Sequence, residues 1–228
     1  MNTPTQRPIP LGLTTLVALV GALVALAFTG GHDAAAHNGM SHATPAAITP
    51  KELALRQDMR KLWEDHVTWT RLAIISLTTD SPDTQATVGR LLQNQSDIGN
   101  AIKPFYGKAA GAKLTALLRE HILIAADLIA AAKSGDQEAV ASQQARWQAN
   151  ADEIAAFLSS ANPRSWRPAE MRTMMRSHLR LTTNEVVARL TKNWSADVGA
   201  YDRIHVQILH MADMLSDGLV AQFPARFR

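Results

Sequence analysis

The chain has 228 residues, of which 46% are hydrophobic and 19% are charged, and it contains no cysteine. This length suffices for one domain with a substantial core, and the composition is that of a globular protein. The absence of cysteine excludes disulfides, thiolate metal sites, a cysteine nucleophile and a lipoprotein anchor. The net charge is only +3, and no basic run interleaved with aromatic residues indicates a nucleic-acid partner.

The first segment has the features of an export signal. Arg7 supplies a positive charge, residues 11–28 are almost entirely apolar, and Ala34-Ala35-Ala36 offers a cleavage site. An apolar run of about 18 residues can also span a bilayer, so residues 1–36 are either a signal peptide or a membrane anchor. In both cases we expect the rest of the chain to lie outside the cytoplasm, as a periplasmic, secreted or membrane-anchored protein.

Residues 37–48 show no periodicity, and we interpret them as a flexible linker before a domain that covers residues 49–224. His37 and His42 lie in this linker. Cleavage before His37 would leave its amine and its imidazole free to chelate copper together. The linker is therefore a second candidate metal site, and the alternative is a tether in which the histidines are incidental.

The remainder of the chain has the periodicity and the punctuation of helices. Thr49, Pro50 and Glu52 form a helix start, because a threonine cap, a first-turn proline and a glutamate at the third position complete a capping box. No window alternates like a strand, and short connections favour antiparallel neighbours. We therefore predict an all-α, up-and-down antiparallel bundle of about six helices. They cover about residues 50–79, 84–103, 108–133, 137–161, 168–192 and 195–222.

Polar residues interrupt the apolar stripes of most predicted helices near their midpoints. His66, for example, shares a helix face with Met59, Trp63 and Trp69, because residues three, four and seven apart lie on one face. An antiparallel bundle would gather such residues at one level. An unpaired polar group in an apolar core costs roughly 1–3 kcal/mol, so we expect this polar layer to be hydrogen-bonded, hydrated or ligated. Its predicted members are His66, Asn94, His121, Asn150, His178, Glu185, Asp202 and His205.

Three interpretations of the polar layer remain open. In the first, His66, His121, Asp202 and His205 hold a copper, zinc or iron ion or a small ligand, and the other members support them, since imidazoles with a nearby carboxylate suit these metals. In the second, the layer only sets the register of the helices in a structural or interaction module. The third is an enzyme with His66 or His121 as general base, although the sequence has no P-loop, hydrolase or metalloprotease motif.

Six stretches of the chain have specific sequences, at residues 62–75, 91–104, 121–127, 150–152, 157–163 and 222–224. Through these stretches the chain resembles a family of exported, all-helical bacterial proteins of unassigned activity. The resemblance extends over nearly everything after residue 50 and implies the same fold and location, but it brings no catalytic residues. Members of that family are sometimes labelled glycosyltransferases. Sugar-nucleotide transferases generally need a nucleotide-binding α/β fold, and this sequence predicts neither strands nor a phosphate loop.

Overall fold

The computed structural model describes residues 48–228, and these residues form α-helices and one short 3-10 helix but no strand. The predicted all-α class is therefore confirmed. The predictions for the export segment and for His37 and His42 lie outside the described residues. The five helices are α1 (Pro50–Thr79), α2 (Thr84–Ser134), α3 (Gln137–Ala161), α4 (Pro168–Leu190) and α5 (Trp194–Gln222).

Local chemistry accounts for several helix ends. The Thr49 hydroxyl accepts from the Glu52 backbone N–H at 3.2 Å, and the Glu52 carboxylate accepts from the Thr49 N–H at 3.1 Å, which is the predicted capping box. Asp136 accepts from the backbone N–H of Ala139 at 2.9 Å and so caps α3. Gly135, with φ of 76°, ends α2 in the left-handed conformation that glycine adopts without steric cost.

The helix α2 spans the two helices that were predicted on either side of Pro104, so the predicted count of about six helices is not confirmed. The interruption lies at Gly107 instead, where φ is 86° and ψ is 171°. The two arms of α2 pack closely on each other across this bend. A Cβ added to Gly99 would lie only 2.6 Å from the carbonyl oxygen of Gly111. Glycine is therefore needed both at the bend and where the arms meet.

Each helix packs against its neighbours in the chain, and α1 also packs against α5. This pattern of contacts is that of a helical bundle. The three connections at residues 80–83, 135–136 and 191–193 define what we call the hairpin end. Lys133 joins two of them, because its ammonium donates to the Leu77 carbonyl at 2.7 Å and to the Asp80 carboxylate at 2.5 Å.

The core of the bundle is formed by apolar side chains from all five helices. At the end opposite the hairpin end, the Tyr106 ring packs 6.0 Å from the Trp166 ring. There the Thr49 hydroxyl also donates to the Phe227 carbonyl at 2.7 Å. Among residues 48–228, no helix is both long enough and apolar enough to cross a membrane.

Candidate functional site

Three histidines of the predicted polar layer meet inside the bundle. His66 on α1, His121 on α2 and His178 on α4 are each at most 4% exposed. The ring centroids of His66 and His178 lie 5.9 Å apart, and those of His121 and His178 lie 6.4 Å apart. We call these three residues the histidine layer. The histidine layer joins three helices. Its polar side chains occupy core positions of the kind that apolar side chains fill elsewhere in the bundle.

A side-chain amide faces the Nδ1 atom of each imidazole. These contacts orient the rings, and they set which nitrogen holds the proton, because an amide oxygen accepts while an amide nitrogen donates. Nδ1 therefore carries the proton in His121 and His178 and accepts a hydrogen bond in His66. The three distances are 3.3 Å from Gln95 Nε2 to His66, 2.8 Å from Asn150 Oδ1 to His121 and 3.1 Å from Gln207 Oε1 to His178.

The histidine layer is electrically neutral near pH 7. Burial lowers the pKa of His66 and of His121 to about 3, because the interior disfavours the charged imidazolium, and the neighbouring imidazoles lower both values further. Burial also lowers the pKa of His178. Hydrogen bonds with the side-chain amides oppose these pKa shifts only in part. Protonating any ring would place a cation in an apolar core beside two further imidazoles.

Asp202 and His205 do not join His66 and His121, which corrects the predicted metal-binding set. Asp202 is exposed, and His205 Nε2 lies 2.9 Å from Glu64 Oε1 near the surface. The buried stripe of α5 runs through Ile204 and other residues of that face, so residues 202 and 205 are rotated away from the core. Within the described part of the chain, no three His, Asp or Glu side chains are placed to hold a metal ion together.

The predicted supporting asparagines are buried and bridge helices through the backbone. Asn94 donates to the Leu62 carbonyl at 3.0 Å, which ties α2 to α1. Asn150 donates to the Leu117 carbonyl at 3.1 Å, which ties α3 to α2. Their positions beside the histidine layer are therefore consistent with a polar level that sets helix register.

Glu185 belongs to a separate group of charges, which we call the ion cluster. Arg71 Nη1 lies 2.6 Å from the Glu185 carboxylate and 2.9 Å from the Asp197 carboxylate, and Arg189 lies 3.1 Å from Asp197. Both carboxylates are at most 2% exposed, and the cluster links α1, α4 and α5. Burial raises the pKa of Glu185 to about 7, although Arg71 opposes the shift. The spacing of Glu185 and Arg189 would indicate a pair between them, whereas Arg189 pairs with Asp197, and no local pattern indicates the contacts of Arg71.

Two cavities lie on either side of the histidine layer. The core cavity, of about 30 Å³, is lined by the three histidines together with Trp63 and apolar side chains, and it has room for about one water molecule. The end cavity, of about 70 Å³, lies toward the hairpin end and is partly open. Trp147 lines the end cavity, and its ring packs 5.2 Å from His121, which lines the core cavity. The Trp147–His121 contact therefore forms part of the wall between them.

The end cavity is almost entirely apolar. Its walls come from α1, α3, α4 and both arms of α2, and no charged side chain among residues 48–228 contributes to them. No sequence pattern indicates this cavity, because its lining looks like ordinary core in every helix and only the packing shows that the side chains leave a gap. Representative lining residues are Ala73, Ile74, Leu77, Ile122, Ile129 and Val187.

A scan against protein-family models, a search of curated proteins and a search of solved structures gave no match to this chain. The family resemblance seen in the sequence therefore stays a prediction. Function has to be inferred from the histidine layer, the ion cluster and the two cavities.

Proposed function

We propose that this chain is a binding protein that works outside the cytoplasm and holds a small, uncharged, largely apolar ligand in the end cavity of its helical bundle. The observation that carries the proposal is a partly open cavity of about 70 Å³ with largely apolar walls. Ligand sites are typically concave and apolar with a few polar groups. The export signal predicted from the sequence supports the location, and the contacts among five helices support the bundle.

Packing energetics favour an occupant for this cavity. Protein interiors are close-packed, and voids larger than a water molecule are few. At about 24 cal/mol per Å³, an empty space of 70 Å³ costs roughly 2 kcal/mol. A ligand that fills the end cavity would recover much of this energy. A charged ligand is disfavoured, because in the described part of the chain no side chain of opposite charge lines the walls.

The proposal can be tested with xenon, an apolar probe that is small enough for a space of about 70 Å³. Xenon applied under pressure to the full chain should raise the thermal unfolding midpoint and shift the NMR methyl signals of Ile74 and Ile122. Ala73→Leu places a larger side chain in the cavity, so it should abolish both effects. Ala116→Leu is the matched control, because Ala116 is exposed on α2, and it should respond as the wild type does.

Two results would contradict the proposal. One is an unchanged midpoint of the wild type at saturating xenon, and the other is an equal response of Ala73→Leu. Copper and zinc salts added in parallel test the earlier metal interpretation. A metal-induced rise in the midpoint that disappears in His66→Ala would move the site from the end cavity to the histidine layer.

The second candidate is a structural or interaction module in which the histidine layer only sets helix register. It is favoured by the amide that faces every Nδ1 atom and by a core cavity with room for about one water molecule. In this case neither xenon nor a metal would change the midpoint, whereas replacement of His178 by alanine would lower it. The same titrations therefore separate the two candidates.

A further inference from the structure

The end of the bundle opposite the hairpin end collects positive charge. Four segments of the chain meet there, joined by aromatic contacts and by a hydrogen bond. Together they contain seven basic residues and one acidic residue, Glu52, whereas acidic residues outnumber basic ones, 18 to 15, in the rest of the described chain. We call this surface the basic end. Its segments are residues 48–53, 103–108, 162–168 and 222–228, and its basic residues are Lys51, Lys103, Lys108, Arg164, Arg167, Arg226 and Arg228.

The positive charge of the basic end is available to a partner. All seven basic residues except Lys103 are exposed. Among residues 48–228, Arg167 is the only one of the seven with an ion pair, which it forms with Glu170 at 3.7 Å, and an exposed pair of this kind contributes little. The Arg226 guanidinium lies 5.3 Å from the centre of the Phe105 ring, which holds it at this surface.

Two apolar side chains lie beside this charge, since Ile48 is 59% exposed and Leu53 is 49% exposed. The aromatic rings of the basic end pack on one another instead, with Phe105 and Phe223 5.5 Å apart, so they are not free to stack on the bases of a single-stranded nucleic acid. Exposed basic groups with neighbouring aliphatic groups suit the surface of an anionic bilayer. The basic groups attract the acidic headgroups, and the aliphatic groups enter the boundary of the acyl chains.

The chain also enters the bundle at the basic end. Residues 11–28 form the apolar segment that the sequence predicts as an export signal or an anchor, and nineteen residues separate it from Ile48. Nineteen residues span at most about 65 Å. A bilayer that holds the apolar segment, during export or permanently, is therefore within reach of the basic end. Attraction between exposed charges acts only over about 8 Å at physiological salt, so such proximity is what a basic surface requires.

We propose that the basic end is a docking surface for an anionic membrane and that it contacts acidic lipid headgroups. The exposed side chains of Lys108, Arg164 and Arg226 contact the lipid phosphates, while Ile48 and Leu53 enter the boundary of the acyl chains. The end cavity lies toward the hairpin end, so docking leaves it uncovered. The inference goes beyond the proposed function, because it concerns the opposite end of the bundle.

The absence of cysteine allows a dye to be attached at a single introduced thiol. Ala225→Cys places the dye at the basic end and Ser195→Cys places it at the hairpin end, and both positions are exposed. The full chain, labelled with the polarity-sensitive dye NBD, is mixed with vesicles of phosphatidylcholine, either alone or with phosphatidylglycerol. At about 0.05 M NaCl the anionic vesicles should raise the emission of the dye at residue 225 and shift it to the blue, and about 0.5 M NaCl should reverse this change. The dye at residue 195 should not respond, and the neutral vesicles should affect neither dye.

Two double variants test the role of charge with the dye at residue 225. Lys108→Gln with Arg164→Gln should lower the ratio of docked to undocked protein roughly fivefold for each lost charge, or about 25-fold in all. Arg180→Gln with Arg203→Gln is the matched control. It removes the same charge from exposed positions on α4 and α5, at least about 18 Å along each helix from the basic end, and it should dock as the wild type does.

Three results would overturn the inference. The first is a dye at residue 225 that does not respond to the anionic vesicles. The second is an equal response to neutral vesicles, which would show that apolar segments alone bring this end to the bilayer. The third is an equal loss of docking in the two double variants. Single-stranded DNA is added in parallel, and a response to DNA without a response to anionic vesicles would assign the basic end to another class of polyanion. The binding of xenon in the end cavity is independent of all these results.

Discussion

Mild acid should destabilise this protein steeply, because the three buried histidines stay neutral in the native state. An unfolded histidine has a pKa near 6.5, whereas the native pKa of His66 and His121 is about 3 and that of His178 is lowered in the same direction. Below pH 6.5 the unfolded chain therefore binds protons that the native chain does not. The free energy of unfolding must then fall as the pH falls, by roughly 1.4 kcal/mol per pH unit for each histidine.

The titration of Glu185 changes the free energy of unfolding in the opposite direction. Its native pKa is about 7 and its ordinary value is 4.5, so between these values the native state holds a proton that the unfolded state has released. This bound proton stabilises the native state as the pH falls, and its effect cancels that of about one histidine. The net loss between pH 6 and pH 4.5 is then about 3 kcal/mol per pH unit, which is large beside the 5–15 kcal/mol of a typical domain.

Urea unfolding of the full chain at pH 7.5, 6.5, 5.5 and 4.5 measures this slope. His178→Gln removes one titrating ring and keeps a polar side chain, so it should reduce the slope by roughly 1.4 kcal/mol per pH unit. Ile204→Val is the control, because it weakens the packing of the buried core without removing a titrating group, and its slope should match that of the wild type. A wild-type stability that does not change over this range, or an equal effect of both variants, would refute the reasoning.

Two further predictions concern the ion cluster and the bend in α2. Glu185→Gln should leave the unfolding free energy at pH 8 within about 1 kcal/mol of the wild type, because Arg71 keeps Asp197, whereas Arg71→Met should cost about 3 kcal/mol by leaving buried carboxylates undercompensated. Urea titration at pH 8 compares them, and a larger loss in Glu185→Gln than in Arg71→Met would contradict the argument. Gly107→Ala should cost roughly 1–3 kcal/mol because φ is 86° there. Gly89→Ala, with open space around its Cβ, should be neutral or stabilising by up to about 1 kcal/mol, and equal losses in thermal unfolding would argue against backbone strain at Gly107.

Sequence patterns were sufficient for features that depend on local chemistry. The capping box at Thr49 and Glu52, the cap at Asp136 and the helix end at Gly135 follow from residues within one turn of each other. The predicted helix end at residue 103 depends on Pro104, because proline usually ends a helix. In the structure α2 continues through Pro104, and the interruption comes at Gly107. A proline that stops a helix and one that lies shortly before a glycine bend leave the same pattern in a sequence.

Features that depend on how helices rotate against each other could not be predicted in the same way. His66, His121 and His178 lie on faces that point inward, but Asp202 and His205 lie on a face of α5 that a modest rotation turns toward solvent. The spacing of apolar residues along a helix determines the rotation of that helix about its own axis only approximately. The ion cluster and the end cavity depend on contacts between distant helices, which leave no spacing to detect.

The contact between Trp147 and His121 has a thermodynamic consequence. Protons bind preferentially to the unfolded chain through the histidines, and the proposed ligand binds only to the folded chain, so the two compete through the folding equilibrium. Ligand at one hundred times its Kd would add about 2.7 kcal/mol to the unfolding free energy, enough to move the acid midpoint by about one pH unit at the slope derived above. The pH at which the bundle unfolds would then report whether the end cavity, which Trp147 also lines, is occupied.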